Sequence, residues 1–281
     1  MLQLDLSGKT VLITGVSSGI GAGIALEMAR AGANISGGAL EEDGGGTLLA
    51  GGESALLPGG ESAPEAGGST WGELVAQGVG TLYTACDVTQ TEQLEQLVAR
   101  TIEKFGRIDV LVSNAGGNVF TGAMGSVEAD WQRNIDLNLA SHWRLARLCK
   151  PYLEDSKGLI IIMSSNHAFS TIPGCFPYNV AKTALTGLVR SLAIEWGPAI
   201  RTVGLAPGFI DTPGNQRWFD SFADPDGERQ RTIGLHPVNR LGTVEEIGGW
   251  CVFLASKYAS FASGVTYLID GGRRALMQDK A

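Results

Sequence analysis

Short apolar runs alternate with segments of helical periodicity along most of the chain. The apolar runs predict seven strands, at residues 9–14, 33–35, 81–86, 108–112, 160–163, 200–205 and 265–269. Unbroken runs with β-branched side chains, such as the one at 160–163, are typical of strands buried on both faces of a parallel sheet. The segments between them predict helices at 22–32, 71–77, 92–105, 128–148, 177–196 and 244–255. This alternation predicts an α/β fold with a doubly wound parallel sheet, which binds ligands at the carboxyl ends of its strands.

Two segments interrupt the alternation. Residues 36–39 have poor strand propensity, and residues 41–69 are rich in Gly, Glu, Ala and Pro. We interpret about 37–70 as an irregular surface insertion, in preference to a functional lid or an oligomer contact, because long surface loops are tolerated at little thermodynamic cost. Residues 211–237 predict a polar loop that binds substrate and carries aromatic side chains.

Composition excludes several classes of protein. The 281 residues carry a net charge of −8, which argues against nucleic acid or an anionic membrane as a partner. The four cysteines are scattered and only three histidines are present, so we expect buried free thiols and no metal site. No basic and apolar leader and no membrane-spanning apolar run is found, and we therefore expect a cytoplasmic protein.

A glycine-rich turn follows the first predicted strand and opens the first predicted helix. Its candidate binding residues are Gly15, Ser17, Ser18, Gly19, Ile20 and Gly21. Glycines let the backbone approach a ligand closely, and the free N–H groups of a helix N-terminus favour an anion. The turn predicts a pyrophosphate site, whereas a tight connection without a ligand is the simpler alternative.

Tyr178 and Lys182 lie one helical turn apart, and Ser165 follows the strand predicted at 160–163. At an effective dielectric of about 20, an ammonium ~4 Å from a phenol is worth on the order of 4 kcal/mol, which predicts a phenol pKa lowered by a few units. Tyr178 could then exchange a proton with an alcohol or carbonyl oxygen held by Ser165. The alternative is a surface tyrosine beside a solvated lysine.

The order and spacing of several motifs resemble the classical short-chain dehydrogenase/reductase family over nearly the whole chain. The motifs are Thr14-Gly15-x-x-x-Gly19-Ile20-Gly21, Asn114-Ala115-Gly116, Asn138, Ser165, Tyr178-x-x-x-Lys182, Pro207-Gly208 and Asp270-Gly271-Gly272. The resemblance implies a Rossmann-like fold, with residues 1–281 as one domain that binds NAD or NADP. It also implies hydride transfer between the nicotinamide and the CH–OH group of a secondary alcohol, or the matching ketone.

The same resemblance implies a role for each matching residue. Tyr178 matches the acid/base and Ser165 the residue that orients the substrate oxygen. Lys182 matches the residue that lowers the tyrosine pKa and binds the nicotinamide ribose, and Asn138 the position that holds a water in a proton relay. The further cofactor contacts implied are Asp87 and Val88 at the adenine, Asn114, Ala115 and Gly116 beside the cofactor, Pro207 and Gly208, and Ile210 and Thr212 at the carboxamide.

The chain departs from the family pattern at Ala39, where members that use NAD carry an acidic ribose ligand. No Lys or Arg lies nearby to bind a 2′-phosphate, so we expect NAD in preference to NADP, with Glu41 or Glu42 as a substitute ligand. The resemblance further implies a homo-oligomer, a tetramer or dimer built through the helices that contain Asn138 and Tyr178.

The substrate is expected to be an alcohol or ketone of medium size, cyclic or sugar-like. Its candidate contacts, besides Ser165 and Tyr178, are His167, Phe176 and Phe209, followed by Asn118, Phe120, Cys175 and Trp218. His167 could equally be a hydrogen-bonded loop histidine, and the aromatic residues could pack the loop. Two alternatives to this enzyme are a 3-oxoacyl-thioester reductase and a scaffold or sensor that binds the cofactor without turnover.

Overall fold

The computed structural model describes residues 4–40 and 70–276. These residues contain one seven-stranded sheet in the order β3-β2-β1-β4-β5-β6-β7, with every pair of neighbours parallel. The strands are β1 (Thr10–Thr14), β2 (Asn34–Ala39), β3 (Thr81–Ala85), β4 (Val110–Ser113), β5 (Leu159–Met163), β6 (Arg201–Pro207) and β7 (Thr266–Ile269). The order reverses between β1 and β4, which confirms the predicted doubly wound sheet and places a crevice at their carboxyl ends.

Nine α-helices lie within the described ranges. They are α1 (Gly19–Arg30), α2 (Thr70–Ala76), α3 (Thr91–Phe105), α4 (Glu128–Ile135), α5 (Ser141–Ser156), α6 (Tyr178–Trp196), α7 (Pro213–Asp220), α8 (Pro225–Gly234) and α9 (Val244–Ala255). The single helix predicted at 128–148 is instead α4 and α5 joined by a π-helical turn, Asp136–Ala140. Pro177, predicted in the first turn of a helix, lies immediately before α6.

Each face of the sheet is covered by its own apolar core. Ile24 of α1, Leu74 of α2 and Ile247 of α9 pack in the core on one face. Leu97 of α3 and Leu185 of α6 belong to the core on the other face, together with residues of α5. The sheet is therefore held between two helical layers, and its strand ends are fixed by packing on both sides.

The prediction that strand structure fails at 36–39 is wrong, because β2 continues to Ala39. Its glycines lie where larger side chains would collide with the helices. A Cβ at Gly37 would lie 2.7 Å from Trp71 Cζ3, and one at Gly38 would lie 2.8 Å from Leu97 Cδ2. Close helix packing thus overrides the low strand propensity of glycine. Residues 41–69 of the predicted insertion, including Glu41 and Glu42, lie outside the described residues.

The polar loop predicted at 211–237 contains two helices, α7 and α8. Thr212 and Asp224 each accept a hydrogen bond from a backbone N–H of the first turn, at 3.2 and 2.9 Å. Proline follows each of these caps, where its fixed φ suits a helix start and its missing N–H leaves no bond unmade. The pairs Thr212-Pro213 and Asp224-Pro225 are the sequence features from which the starts of these two helices could have been predicted.

The cysteines agree with the sequence-based expectation. Cys86, Cys149, Cys175 and Cys251 are all buried free thiols. In the described ranges, 4–40 and 70–276, no helix is both long enough and apolar enough to cross a bilayer.

Candidate active site

The ends of β1 and β4 are tied together at the crevice. Asn114 Nδ2 donates to the Thr14 carbonyl oxygen at 2.9 Å, while the backbone N–H groups of Asn114 and Ala115 donate to Thr14 Oγ1 at 3.1 Å each. The predicted residues Asp87 and Val88 follow β3 at the same edge of the sheet. Asp87 Oδ1 accepts from the backbone N–H of Thr89, so this carboxylate shapes its own loop.

The glycine turn between β1 and α1 has the geometry that a pyrophosphate requires. Gly15 and Gly19 have φ of +76° and +60°, which side chains rarely adopt. Gly21 is pressed against the chain, because a Cβ there would lie 2.0 Å from the Gly15 carbonyl oxygen. Ser18, the residue before α1, makes no side-chain cap, and the first turn carries no acidic residue. The N–H groups of Gly19 and its neighbours therefore remain available to an anion, and these residues fit the phosphates of a dinucleotide.

The loop after β6 reaches the glycine turn. Thr212 Cγ2 would lie 3.6 Å from a Cβ at Gly19, so the predicted carboxamide contact and the predicted phosphate contact are neighbours. Pro207 ends β6, and the Gly208 N–H donates to the Ile269 carbonyl oxygen at 2.8 Å. Ile210 is buried and forms an isolated bridge with Gly242.

Asn138 is fully buried in the π-helical turn between α4 and α5. Its Nδ2 donates to the Gly117 carbonyl oxygen at 2.9 Å and to Asn134 Oδ1 at 3.1 Å, and its Oδ1 accepts from the Gly117 N–H at 3.1 Å. Single π-helical turns are frequent at functional sites. Here the turn presents Asn138 to the Asn114–Gly117 segment after β4.

Ser165, Tyr178 and Lys182 come together at the end of β5 and the start of α6. Ser165 Oγ donates to Asn166 Oδ1 at 3.3 Å, and its hydroxyl lies close enough to Tyr178 to act on the pKa of that phenol. Lys182 Nζ lies 5.6 Å from the centroid of the Tyr178 ring and donates to the Met163 carbonyl oxygen at 3.1 Å. A Cβ atom added at Gly116 would lie 3.2 Å from Lys182 Nζ and 2.8 Å from Asn138 Oδ1. Lys182 and Asn138 therefore approach the same side of Gly116. The four predicted catalytic residues thus occupy one site.

Burial governs the acidity of this site. It raises the pKa of Tyr178 to about 12, and the neighbouring Ser165 hydroxyl only partly opposes this effect. Burial likewise lowers the pKa of Lys182 to about 8. The expectation that Lys182 lowers the pKa of the phenol by a few units is wrong for the protein chain by itself, because removing two close charges from water outweighs their mutual attraction.

Two aromatic rings pack against the ring of Tyr178. The rings of Phe120 and His167 lie 5.3 and 5.9 Å from that of Tyr178, and 6.0 Å from each other. His167 Nδ1 is also 3.0 Å from Thr171 Oγ1, so the substrate-contact and loop-histidine interpretations are compatible. Phe120 and His167 are the predicted candidates that the structure places directly against the tyrosine.

The other substrate candidates have partners of their own. Phe176 stacks on Trp131 at 5.8 Å, and Phe209 packs against Trp218 at 5.6 Å in the α7 region. Cys175 is buried, and after burial of the phenol itself it is a further cause that raises the pKa of Tyr178. Asn118 is exposed on the loop after β4.

The sequence-based interpretation missed the residues that support the site. Ser164 Oγ donates to the Lys182 carbonyl oxygen at 2.8 Å, and Asn134 Nδ2 donates to the Pro177 carbonyl oxygen at 2.9 Å. His142 is fully buried, its Nδ1 lies 2.7 Å from Ser113 Oγ, and its Nε2 has no partner among the described residues. Asn134 and His142 each stand four residues from Asn138, and that helical spacing was the available signal.

A cavity of about 460 Å³ lies next to the candidate active site, and its walls include two of the predicted cofactor contacts, Gly208 and Ile210. Its lining includes Gly208, Phe209 and Ile210, together with Trp250 and Phe253 of α9. None of the four candidate catalytic residues lines it.

Known proteins match this chain over most of its length. A family model described as Enoyl-(Acyl carrier protein) reductase matches residues 62–274. Dehydrogenase/reductase SDR family member 4 of Homo sapiens is 34% identical over 271 residues, which cover 95% of this chain and 88% of that protein. The chain belongs to the classical short-chain dehydrogenase/reductase family. This finding confirms the resemblance drawn from the motifs.

Two further members of the short-chain family illustrate its range. The 3-oxoacyl-[acyl-carrier-protein] reductase of Thermotoga maritima is 30% identical, with coverage of 96% of this chain and 99% of that protein. A 7α-hydroxysteroid dehydrogenase solved with NADH and 7-oxo glycochenodeoxycholic acid superposes with a TM-score of 0.81 at 30% identity, over 97% of this chain and 98% of that one. The protein is accordingly an oxidoreductase that transfers hydride between a nicotinamide cofactor and an alcohol or ketone.

Proposed function

We propose that this short-chain dehydrogenase/reductase interconverts a secondary alcohol and its ketone, of medium size, with Tyr178 as the acid/base. The observation that carries the proposal is the contact between the Tyr178 and Ser165 side chains beside Lys182, at the sheet edge that also holds the glycine turn. A hydroxyl pair of this kind can hold one substrate oxygen and move its proton. A bound nicotinamide would supply the hydride chemistry, and the positive charge of its oxidised ring would favour the phenolate form of Tyr178.

Each of the other catalytic residues acts through a contact already described. Ser165 donates to the substrate oxygen and keeps it at the Tyr178 hydroxyl. Lys182 holds its charge close to the ring of Tyr178, and Asn138 fixes the backbone of Gly117 opposite Lys182. Phe120 and His167 limit the access of water and contact the body of the substrate.

We propose NAD as the cofactor in preference to NADP. Ala39 ends β2 with a buried methyl group, and the sequence contains no Lys or Arg between Arg30 and Arg100. A 2′-phosphate near β2 and β3 would therefore find no cation from these segments to pair with. Titration with NADH and NADPH tests the proposal, and comparable dissociation constants would remove it.

The function is tested by an oxidation screen of secondary alcohols and sugars with NAD and NADP, followed at the absorbance of the reduced cofactor. Turnover of cyclic or sugar-like alcohols by the wild type, with a large loss in Tyr178→Phe, supports the proposal. A chain that binds the nucleotide but turns over no alcohol or ketone would instead be a scaffold or sensor.

A 3-oxoacyl-thioester reductase is the second candidate. The description of the matching family model and the similarity to the Thermotoga maritima protein favour it. That reaction delivers its substrate on an acidic carrier protein, for which a basic docking surface and NADP would be expected. Reduction of acetoacetyl-coenzyme A with NADPH at a higher kcat/KM than any free ketone with NADH would establish this alternative.

The assembly and location of the protein stay predictions. We propose a homo-oligomer, a tetramer or dimer, formed through the helices that contain Asn138 and Tyr178, and a cytoplasmic location. Trp143 of α5, which directly follows the π-helical turn of Asn138, and Ile194 of α6 are exposed apolar residues. Sedimentation at micromolar concentration tests the assembly, and a monomeric profile would contradict it.

A further inference from the structure

The helices α7 and α8 carry little apolar core of their own. Within residues 213–234, all of which the structure describes, the buried residues are Phe219 and Thr232. Phe219 packs against Phe209, with 5.4 Å between the ring centroids. Phe209 belongs to residues 208–212, which follow β6 and are called the β6 loop below. The position of the two helices therefore depends on their contacts with the β6 loop.

Arg229 of α8 reaches back to the β6 loop. Its guanidinium donates to both carboxylate oxygens of Asp211, at 3.2 Å for Oδ1, and to Gln216 Oε1 of α7 at 3.0 Å. The central carbon of the guanidinium lies 5.4 Å from the centroid of the Phe219 ring. One side chain thus connects the β6 loop, α7 and α8.

The pair of Arg229 and Asp211 differs from an ordinary surface ion pair. Exposed single pairs contribute little to stability, and these two side chains are both partly exposed. Here, however, the guanidinium forks onto one carboxylate, has a third acceptor and covers an aromatic ring, a combination that lysine cannot supply. By contrast, the pair of Arg231 with Glu228 lies within α8, between residues three apart.

The β6 loop lies on the reacting side of the sheet. In the strand order β3-β2-β1-β4-β5-β6-β7, the glycine turn follows β1, whereas Ser165 and the β6 loop follow β5 and β6. Thr212, the residue after Asp211, has its Cγ2 atom 3.6 Å from the position of a Cβ at Gly19. A dinucleotide that rests on the glycine turn and reacts beside Ser165 has its nicotinamide half on the side of the β6 loop. Its adenosine half is on the side of β2 and β3.

We propose that Arg229 is a positioning residue for the nicotinamide half of the cofactor. Its pair with Asp211 holds the β6 loop in the conformation that binds the nicotinamide, and it fixes α7 and α8 on that loop. This inference rests on the function proposed above and adds a residue to its cofactor site. Arg229 acts through Asp211 and takes no part in proton or hydride transfer.

The test compares the binding of NADH with that of ADP-ribose, which lacks the nicotinamide and keeps the rest of the cofactor. We expect Arg229→Met to weaken NADH binding about 10-fold, within the usual range of coupling between sites, and to leave the dissociation constant of ADP-ribose unchanged. Asp211→Asn should have the same effect. The double variant should be no weaker than either single variant, because each substitution removes the same contact. Arg229→Lys, which keeps the charge without the fork, should lie between Arg229→Met and the wild type.

Arg231→Met is the matched control, because it removes a guanidinium whose ion pair lies within α8. It should bind both ligands like the wild type in calorimetric titrations, and circular dichroism reports whether each variant is folded. An Arg229→Met variant that binds NADH like the wild type, or that loses NADH and ADP-ribose equally, would overturn this inference. Additive losses in the double variant would do the same, while turnover of an alcohol by the wild type leaves the proposed function standing. A wild type that binds neither ligand would remove both.

Discussion

Asn138 and Lys182 approach each other across Gly116. The position that a Cβ would take on Gly116 lies 2.8 Å from Asn138 Oδ1 and 3.2 Å from Lys182 Nζ. The two polar groups come from different elements, the π-helical turn and α6, and the backbone after β4 lies between them. Glycine at this position leaves the space that the two groups share.

We expect Gly116→Ala to lower kcat by about 100-fold, because a displacement of about 1 Å of catalytic groups has an effect of that order. The added methyl group would press on Asn138 and Lys182 together. Gly117→Ala is the matched control, since a Cβ there would lie 3.4 Å from Leu137 Cδ2, an ordinary contact. Similar kcat values for the two variants would show that the space at Gly116 is not needed.

Asn138→Ala should destabilise the fold as well as impair turnover. The substitution removes the three hydrogen bonds of a buried side chain, so that both backbone polar groups of Gly117 and the Oδ1 atom of Asn134 lose this partner. We expect a loss of about 2–4 kcal/mol in the free energy of unfolding, measured by urea denaturation. Asn118→Ala, at an exposed position of the adjoining loop, should change it by less than about 0.5 kcal/mol. A loss for Asn138→Ala as small as that of the control would refute the structural part of its role.

His142 should make the protein sensitive to mild acid. Burial and the charge of Lys182 lower the pKa of His142 to about 3, whereas the unfolded chain titrates near its ordinary value of 6.5. Between these values the unfolded state binds the proton, so stability is fully present above pH 6.5 and is lost as pH falls towards 3. The share of His142 in this loss is about 2 kcal/mol between pH 6.5 and 5. Unfolding curves of wild type and His142→Leu at both pH values measure that share, and identical acid sensitivity would contradict it.

Gly21→Ala should abolish nucleotide binding. Its Cβ would lie 2.0 Å from the Gly15 carbonyl oxygen, so the turn that cradles the pyrophosphate would have to open. Gly187→Ala in α6 is the matched control, because nothing lies within 4 Å of its Cβ, and it should bind NADH normally. Calorimetric titration of both variants with NADH decides the matter. Normal binding by Gly21→Ala would mean that the nucleotide does not rest on this turn.

The sheet was predictable because its strands are apolar on both faces, as Ile160–Met163 shows, and because polar motifs mark where they end. The run through Gly37 and Gly38 escaped prediction, since its strand structure depends on the distant Trp71 and Leu97. The π-helical turn at Asn138 gave no sequence signal of its own. Local sequence was therefore enough to predict where the catalytic side chains lie. The backbone conformation between them depends on long-range packing.

The acidity of Tyr178 was the least predictable feature of the site. The spacing of Tyr178 and Lys182 correctly placed an ammonium next to the ring. Sequence alone could not weigh that attraction against the burial of both groups, which depends on Ser164, Met163 and the layers around them. The sign of a pKa shift in a buried pair follows from its three-dimensional surroundings.

The central claim is that the Tyr178 hydroxyl exchanges the proton with the substrate oxygen. Its most direct test is kcat for wild type and Tyr178→Phe on the best alcohol of the screen, with NADH affinity measured in parallel. We predict a fall in kcat of about 100- to 10,000-fold with the NADH dissociation constant nearly unchanged. Equal turnover by the two proteins would contradict the account.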